Sequence, residues 1–346
     1  MTNALEILDP LKTKDWDGWL VTHQESTIFH SSPWAKVLVE SYGYKPLYFT
    51  TGVNLNPAVL LPVMEVSSVL TGTRGVSLPF TDSCKVLFPR TSSAMDIRGS
   101  VVHYGRRAGW KFIEFRDEAL FNDQDQFACS FYLHHLDLPV DPQEYFHRLK
   151  HGTRTSVNKA KREGVKIVVT ESTEAVEGFY RLNCLTRKKH GLPPQPLRFF
   201  RKVHEHIISK GLGFVIEARF RDRAVAAAVC FHFGQNAIMK YAAYDYTYQR
   251  VRPNNLLVWE TVRWYAEHGF KRLSFGRSDM KNEGLRRFKK GWDLTEQLLN
   301  YYKFDLKLNR LITNSHPFIE RSPQVLSKLP IPVLRLVGGI LYKHMG

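Results

Sequence analysis

Four cysteines in 346 residues, none in a CxxC pair, leave little room for thiol or metal chemistry. Cys84, Cys129, Cys184 and Cys230 lie far apart and match no metal-ligand spacing, so reduced thiols, no metal and a cytoplasmic location are expected. A Walker loop, a dinucleotide-binding glycine pattern and a nucleophile elbow are also missing. Their absence removes several large enzyme classes. No stretch approaches the roughly 20 apolar residues of a membrane-spanning helix, so no transmembrane segment is expected. The first 20 residues carry acids and no apolar run, which argues against a secretory leader. Acids are outnumbered: 33 Asp and Glu face 49 Lys and Arg, for a net charge of +16. Such an excess favours anionic partners: nucleic acid, coenzyme phosphates, nucleotide-linked substrates or an acidic membrane face.

What the chain does have is alternating helical and strand patterning over a length that suits two domains. In the first part, residues 15–20 and 33–42 pattern as helices, 47–51 and 58–66 as strands, and 52–57 as the turn between them. Residues 75–78 run into the turn Pro79-Phe80-Thr81-Asp82. A helix over 96–108 and strands over 111–116 and 131–136 follow. Asp141, Pro142 and Glu144 form a helix start, a basic helix spans 153–163, and Gly164 stops it before a strand over 165–170. The second part gives helices over 174–190 and 197–210, then strands over 212–220, 224–233 and 237–244. A helix over 254–268, a strand over 272–275, a turn over 276–279, a helix from 282 and a strand over 297–304 complete it.

Lys271 to Asp293, KRLSFGRSDMKNEGLRRFKKGWD, is the most informative segment. Helical spacing puts Leu285, Phe288 and Trp292 on one face and leaves Arg286, Arg287, Lys289 and Lys290 pointing elsewhere. A strand feeding a cationic turn and helix suits an anion or a developing oxyanion. Lys289 is the candidate cation at a reaction centre; a solvated basic face is the competing explanation. Tyr244, at a predicted strand end, is placed to assist an attacking amine, and Asp82 to hold an ammonium. Packing and turn formation explain these two residues as well. Trp34 with Lys36, and Arg187 with His190, are candidates to grip a bulky anionic substrate. Trp34 suits a core equally, and residues 190–194 suit a helix stop. Arg154, Arg252 and Arg277 come from the basic clusters and turns. At 249–254, Gln249 fits the phosphate-loop pattern Gln/Arg-x-x-Gly-x-Gly/Ala, but Arg252 and Asn254 stand where small residues let a backbone approach pyrophosphate.

The second-half element order is the one that a GNAT-type N-acyltransferase sheet requires, and the first half is similar though less regular. In this order stand FHSSPWAKV near the start, LPFTD at 78–82, TRKKHGLPPQP at 186–196, RPNNLLVWE at 252–260 and FGRSDMKNEGLRRFKKGWD at 275–293. Over residues 28–304 the chain resembles the FemAB/FemX-type aminoacyltransferases and related double-domain GNAT acyltransferases. The resemblance implies an α/β (α+β) fold of two GNAT-like domains, with mixed, largely antiparallel sheets flanked by helices. The expected limits are 1–164, including a basic helical hairpin at 141–163, then 165–306, then a basic and apolar tail at 307–346. It also implies that Lys289, after Phe288, stabilises the transferred group, and that Lys36 and Arg187 hold the anionic part of the acceptor. The expected activity is transfer of an acyl or aminoacyl group to an amine of a bacterial cell-envelope precursor, related to peptidoglycan or exopolysaccharide. No cofactor is expected to bind tightly; acyl-CoA or aminoacyl-tRNA would serve as co-substrate. An acetyl-CoA-dependent N-acetyltransferase and a non-catalytic RNA- or glycan-binding protein are the alternatives. The tail from Lys328 is apolar with interspersed cations, so it either lies on the inner membrane face or docks on the second domain.

Overall fold

The computed structural model describes residues 5–53, 56–87, 91–313 and 326–345. Chain contacts divide it into two units, Met1–Phe131 with Leu298–Phe318 and Ile340–Gly346, and Tyr132–Gln297 with Ile319–Gly339. The sequence places a boundary at 164, whereas these contacts put the basic hairpin with unit 2. The Phe146 ring, for example, packs 4.5 Å from that of Trp259.

Unit 1 contains strands β1 (Leu5–Leu8), β2 (Lys45–Val53), β3 (Asn56–Val66), β4 (Arg74–Val76) and β5 (Phe112–Phe115), with helices α1 (Trp16–Val21), α2 (Ser32–Tyr42) and α3 (Thr91–Arg107). Its sheet runs β1-β2-β3-β4-β5 and continues to β12 (Thr295–Asp305), which also pairs with the short β13 (Arg310–Leu311). The pairing is antiparallel except between β4 and β5. β1 and β13 are too short to give a periodic signal in the sequence. Leu47, Phe49, Leu61 and Val63 of β2 and β3 pack with Ile97 and Val101 of α3 and with Trp110. The Ser31 hydroxyl accepts from the Trp34 N–H and, with Pro33 in the first turn, starts α2.

Unit 2 takes most of β6 (Cys129–Asp137) and all of β7 (Lys166–Thr170), β8 (Gly213–Phe220), β9 (Arg223–Phe233), β10 (Asn236–Tyr244) and β11 (Arg272–Asp279). The sheet order is β6-β11-β10-β9-β8-β7, with an antiparallel meander from β7 to β10 and a parallel pair β10–β11. Its helices are α4 (Pro142–Arg148), α5 (His151–Arg162), α6 (Thr173–Lys189), α7 (Leu197–His206), α8 (Pro253–Glu267), α9 (Glu283–Lys290) and most of α10 (Ile331–Leu341). β9 is a nearly unbroken apolar run, Ala-Val-Ala-Ala-Ala-Val-Cys-Phe, because both of its faces are covered. On one face Ala226, Ala228 and Cys230 meet Tyr145, Val157, Trp259 and Tyr265 of α4, α5 and α8. On the other, Phe231 and Tyr241 meet an aromatic cluster of Phe179, Phe199 and Phe200 from α6 and α7. The fold is the mixed, largely antiparallel α/β arrangement expected from the sequence. Two details differ: β11 continues through the expected turn at 276–279, and part of the tail forms α10. No helix among the described residues is long and apolar enough to cross a membrane.

Candidate active site

The sheet of unit 2 opens at its centre. β10 and β11 pair in parallel only over Asn236–Ile238 and Arg272–Ser274. Immediately beyond, the register of β10 against β9 shifts between Met239 and Tyr241, a bulge of the kind that bends a strand away from its neighbour. β10 runs on to Tyr244 and β11 to Asp279, so the two diverge around a wedge. Strand edges released in this way present N–H and C=O groups able to receive an extended chain.

Lys289 stands on the wedge. The Asn282 side chain accepts from the Leu285 N–H and starts α9. Two side chains from α4 and α5 hold its far end: the Thr153 hydroxyl donates to the Gly291 carbonyl at 2.9 Å, and the Tyr145 hydroxyl to the Trp292 carbonyl at 2.5 Å. Thr153 comes so close that a Cβ on Gly291 would lie 2.7 Å from its hydroxyl oxygen. With α9 fixed at both ends, Lys289 is only 5% exposed. Its Nζ donates to the Gly276 carbonyl at 2.9 Å, with a longer contact of 3.4 Å to that of Arg277. Both carbonyls belong to the part of β11 beyond its pairing with β10. The expected face assignment therefore needs correction at two residues. Lys289 points inward rather than away, and Leu285 is 37% exposed, while Trp292 is fully buried.

Beside Lys289 lies a group that the sequence did not bring forward. His134 on β6 is buried, with Nδ1 3.8 Å from Oε2 of Glu296, and its Nε2 makes no hydrogen bond among the described residues. Burial first, and then the positive charge of Lys289, lower its pKa to about 4, so the imidazole is neutral at pH 7. Glu296 is itself clamped by Arg286, whose Nη2 and Nε donate to the two carboxylate oxygens at 2.8 and 3.3 Å. That pairing holds the carboxyl below its usual range. The Arg286 guanidinium also lies 3.8 Å from the centre of the Tyr132 ring. Ser278, buried on β11, has no intramolecular partner for its hydroxyl. The available signal was a histidine sharing a strand face with Leu136.

The remaining predicted residues fall into separate groups. Arg277 meets Lys289 through its carbonyl. Tyr244 closes β10, where its backbone exchanges hydrogen bonds with the Thr186 hydroxyl and Lys189 lies 5.6 Å from its ring centre. Arg187 on α6 donates from Nε to the Pro193 carbonyl at 3.2 Å, so it braces the turn after α6. His190, at the C-terminal end of α6, is exposed. Arg154 on α5 is half-buried, with an Nε that has no hydrogen bond. Arg252 precedes α8 with φ 55°, the left-handed conformation that the glycine of the expected pattern would adopt. Asp82, Lys36 and Trp34 belong to unit 1. The half-buried Asp82 accepts from the Tyr301 hydroxyl through its backbone carbonyl, and Lys36 is exposed, 4.0 Å from Glu40. Trp34 is fully buried, 5.0 Å from the Phe29 ring, so it is a core residue rather than a substrate contact.

Comparison with known proteins accords with this geometry. Residues 147–290 match the family model described as an acetyltransferase (GNAT) domain. No curated protein sequence matches the chain. Among solved structures, FemX is similar with a TM-score of 0.63 and 10% identity, covering 86% of this chain and 96% of FemX. A tandem GNAT protein from the clavulanic acid biosynthesis pathway is similar with a TM-score of 0.53 and 10% identity, covering 88% of this chain and 99% of its own. L-PGS from Bacillus licheniformis is similar with a TM-score of 0.51 and 14% identity, covering 88% and 96%. At such identities the structural likeness is one of fold. Residues 147–290 thus match the acetyltransferase (GNAT) domain model, and over most of its length the chain shares the fold of FemX and of the tandem GNAT protein.

Proposed function

We propose that unit 2 catalyses N-acyl transfer, with the activated acyl donor held in the wedge between β10 and β11. The acceptor is an amine of an anionic bacterial cell-envelope precursor, related to peptidoglycan or exopolysaccharide. The observation that carries this reading is Lys289, a buried ammonium fixed by α9 against the part of β11 that lies beyond its pairing with β10. The amine lone pair attacks the carbonyl carbon of a thioester or ester, and the carbonyl π electrons move to oxygen. Lys289 stabilises that oxyanion. As the carbonyl re-forms, the bond to sulfur or oxygen breaks. The leaving group takes a proton and the new amide nitrogen loses one. Tyr244, at the end of β10, positions the amine. Arg252 and Arg277 supply positive charge for the donor, and Arg154, Arg187 and His190 are the further anion contacts on unit 2. No covalent enzyme intermediate is required, since Cys184 and Cys230 are buried and burial raises both thiols.

Acyl-CoA and aminoacyl-tRNA both satisfy this chemistry, the first in keeping with the acetyltransferase domain match and the second with the resemblance of the sequence motifs to FemAB/FemX-type aminoacyltransferases. An ordinary acetyl-CoA-dependent reaction has its own support. Helix α8 starts at Pro253 with no side-chain cap, after a residue of left-handed φ; the Asn255 N–H donates to the Arg252 carbonyl, and no side-chain cap takes the Asn254 N–H. The proposed location is the cytoplasm, at the inner membrane face. The test supplies labelled acetyl-CoA or aminoacyl-tRNA together with extracted envelope precursors and follows label into amide products by mass spectrometry. Amide formation from either donor is expected. Salt-sensitive RNA binding without any transfer would instead identify a non-catalytic binding protein.

A further inference from the structure

Helix α10 is apolar apart from Arg335, and among the described residues it packs one face. Its inner face is set by Leu334, 1% exposed, and by Gly338, where an added Cβ would lie 2.0 Å from the Pro194 carbonyl oxygen. On the outer face Val333, Leu336 and Ile340 are 41%, 66% and 53% exposed. Spacings of three and four residues join them into one stripe. A helix with so broad an apolar surface belongs in a core or in lipid. Eleven residues are too few to cross a bilayer, which leaves a position in the interface. The charges select the partner. Residues 326–345 contain no Asp or Glu; Lys328 and Lys343 are exposed beside the stripe, while the Arg335 guanidinium lies 5.3 Å from the centre of the Tyr180 ring. A second copy of the chain would bring these cations against their own kind. An anionic lipid surface would complement them, and the net charge of +16 adds long-range attraction.

We propose that the outer face of α10, with Lys328 and Lys343, docks the protein on an anionic lipid leaflet. Val333, Leu336 and Ile340 enter the boundary between headgroups and acyl chains, and Lys328 and Lys343 sit among the lipid phosphates. This docking does not depend on the acyl-transfer reading. The test is co-sedimentation of the full chain with phosphatidylcholine vesicles, with and without phosphatidylglycerol, at low and high salt. The wild type is expected in the pellet with the anionic vesicles. The double variant Leu336→Gln/Ile340→Gln should lose about tenfold or more in partitioning. Lys343→Gln should lose about fivefold. These side chains are exposed, so unfolding midpoints should stay at the wild-type value. Wild type that stays in the supernatant overturns the proposal, as does unchanged binding of the double variant. A wild-type dimer that the double variant converts to monomer, without vesicle binding, would show that a second copy covers the face.

Discussion

Acidification offers a test of the Lys289–His134 site that needs no substrate. His134 is held neutral, with its pKa lowered from 6.5 to about 4 by burial and by the charge of Lys289. The unfolded chain binds a proton at this residue below pH 6.5, whereas the folded chain does not until about pH 4. Between those values the unfolded state therefore binds more protons, so stability rises with pH and falls on acidification. At about 1.4 kcal/mol per pKa unit the shift gives His134 up to about 3 kcal/mol across the window, fully present above pH 6.5 and lost by pH 4. His30 and His232 are also lowered by burial and add their own slopes, so the wild-type curve alone is not diagnostic. The decisive comparison is urea unfolding of wild type and His134→Gln at several pH values from 7 to 4.5. The variant should lose part of the acid slope, and the two stabilities should converge as the pH falls. Parallel curves would refute the placement of a neutral imidazole beside Lys289.

The same site makes further demands. Arg286→Gln removes a cation that lowers the His134 pKa, and also frees Glu296, whose charge raises it. The imidazole should therefore titrate at higher pH in an NMR titration, and an unchanged value would reject the pairing. Gly291→Ala drives a methyl group into the Thr153 hydroxyl, so it should destabilise unit 2 by about 1–3 kcal/mol in thermal unfolding. Trp34→Ala should destabilise unit 1 by about 3–5 kcal/mol, since the ring is fully buried. A substrate-contact role for Trp34 would instead appear as a raised KM with unchanged stability.

Much of the fold was legible in the sequence because its signals are local. The Asp141-Pro142 start accepts from the N–H groups of Gln143 and Glu144 as its residue types predict. The apolar run of β9 and the meander around it follow from composition and from tight polar joints. Lys289 was legible as a candidate because Phe288 and Trp292 frame it. Its burial was not, since the turn expected at 276–279 is strand, and a lysine that reaches a carbonyl 13 residues back leaves no periodic trace. His134 and Glu296 stayed hidden for a related reason. They are 162 residues apart, and nothing in either neighbourhood records that sheet pairing brings them within 3.8 Å. Arg252 shows the opposite failure. Its residue type argued against a glycine-like loop, while its backbone adopts the glycine conformation at φ 55°.

The central claim is tested most directly by the rate of label transfer from donor to amine acceptor in the wild type and in Lys289→Met. Methionine keeps the length of the side chain and removes its charge, so folding should be retained while kcat falls about 10²–10³-fold with little change in KM. A Lys289→Met protein that transfers label at the wild-type rate would contradict the account.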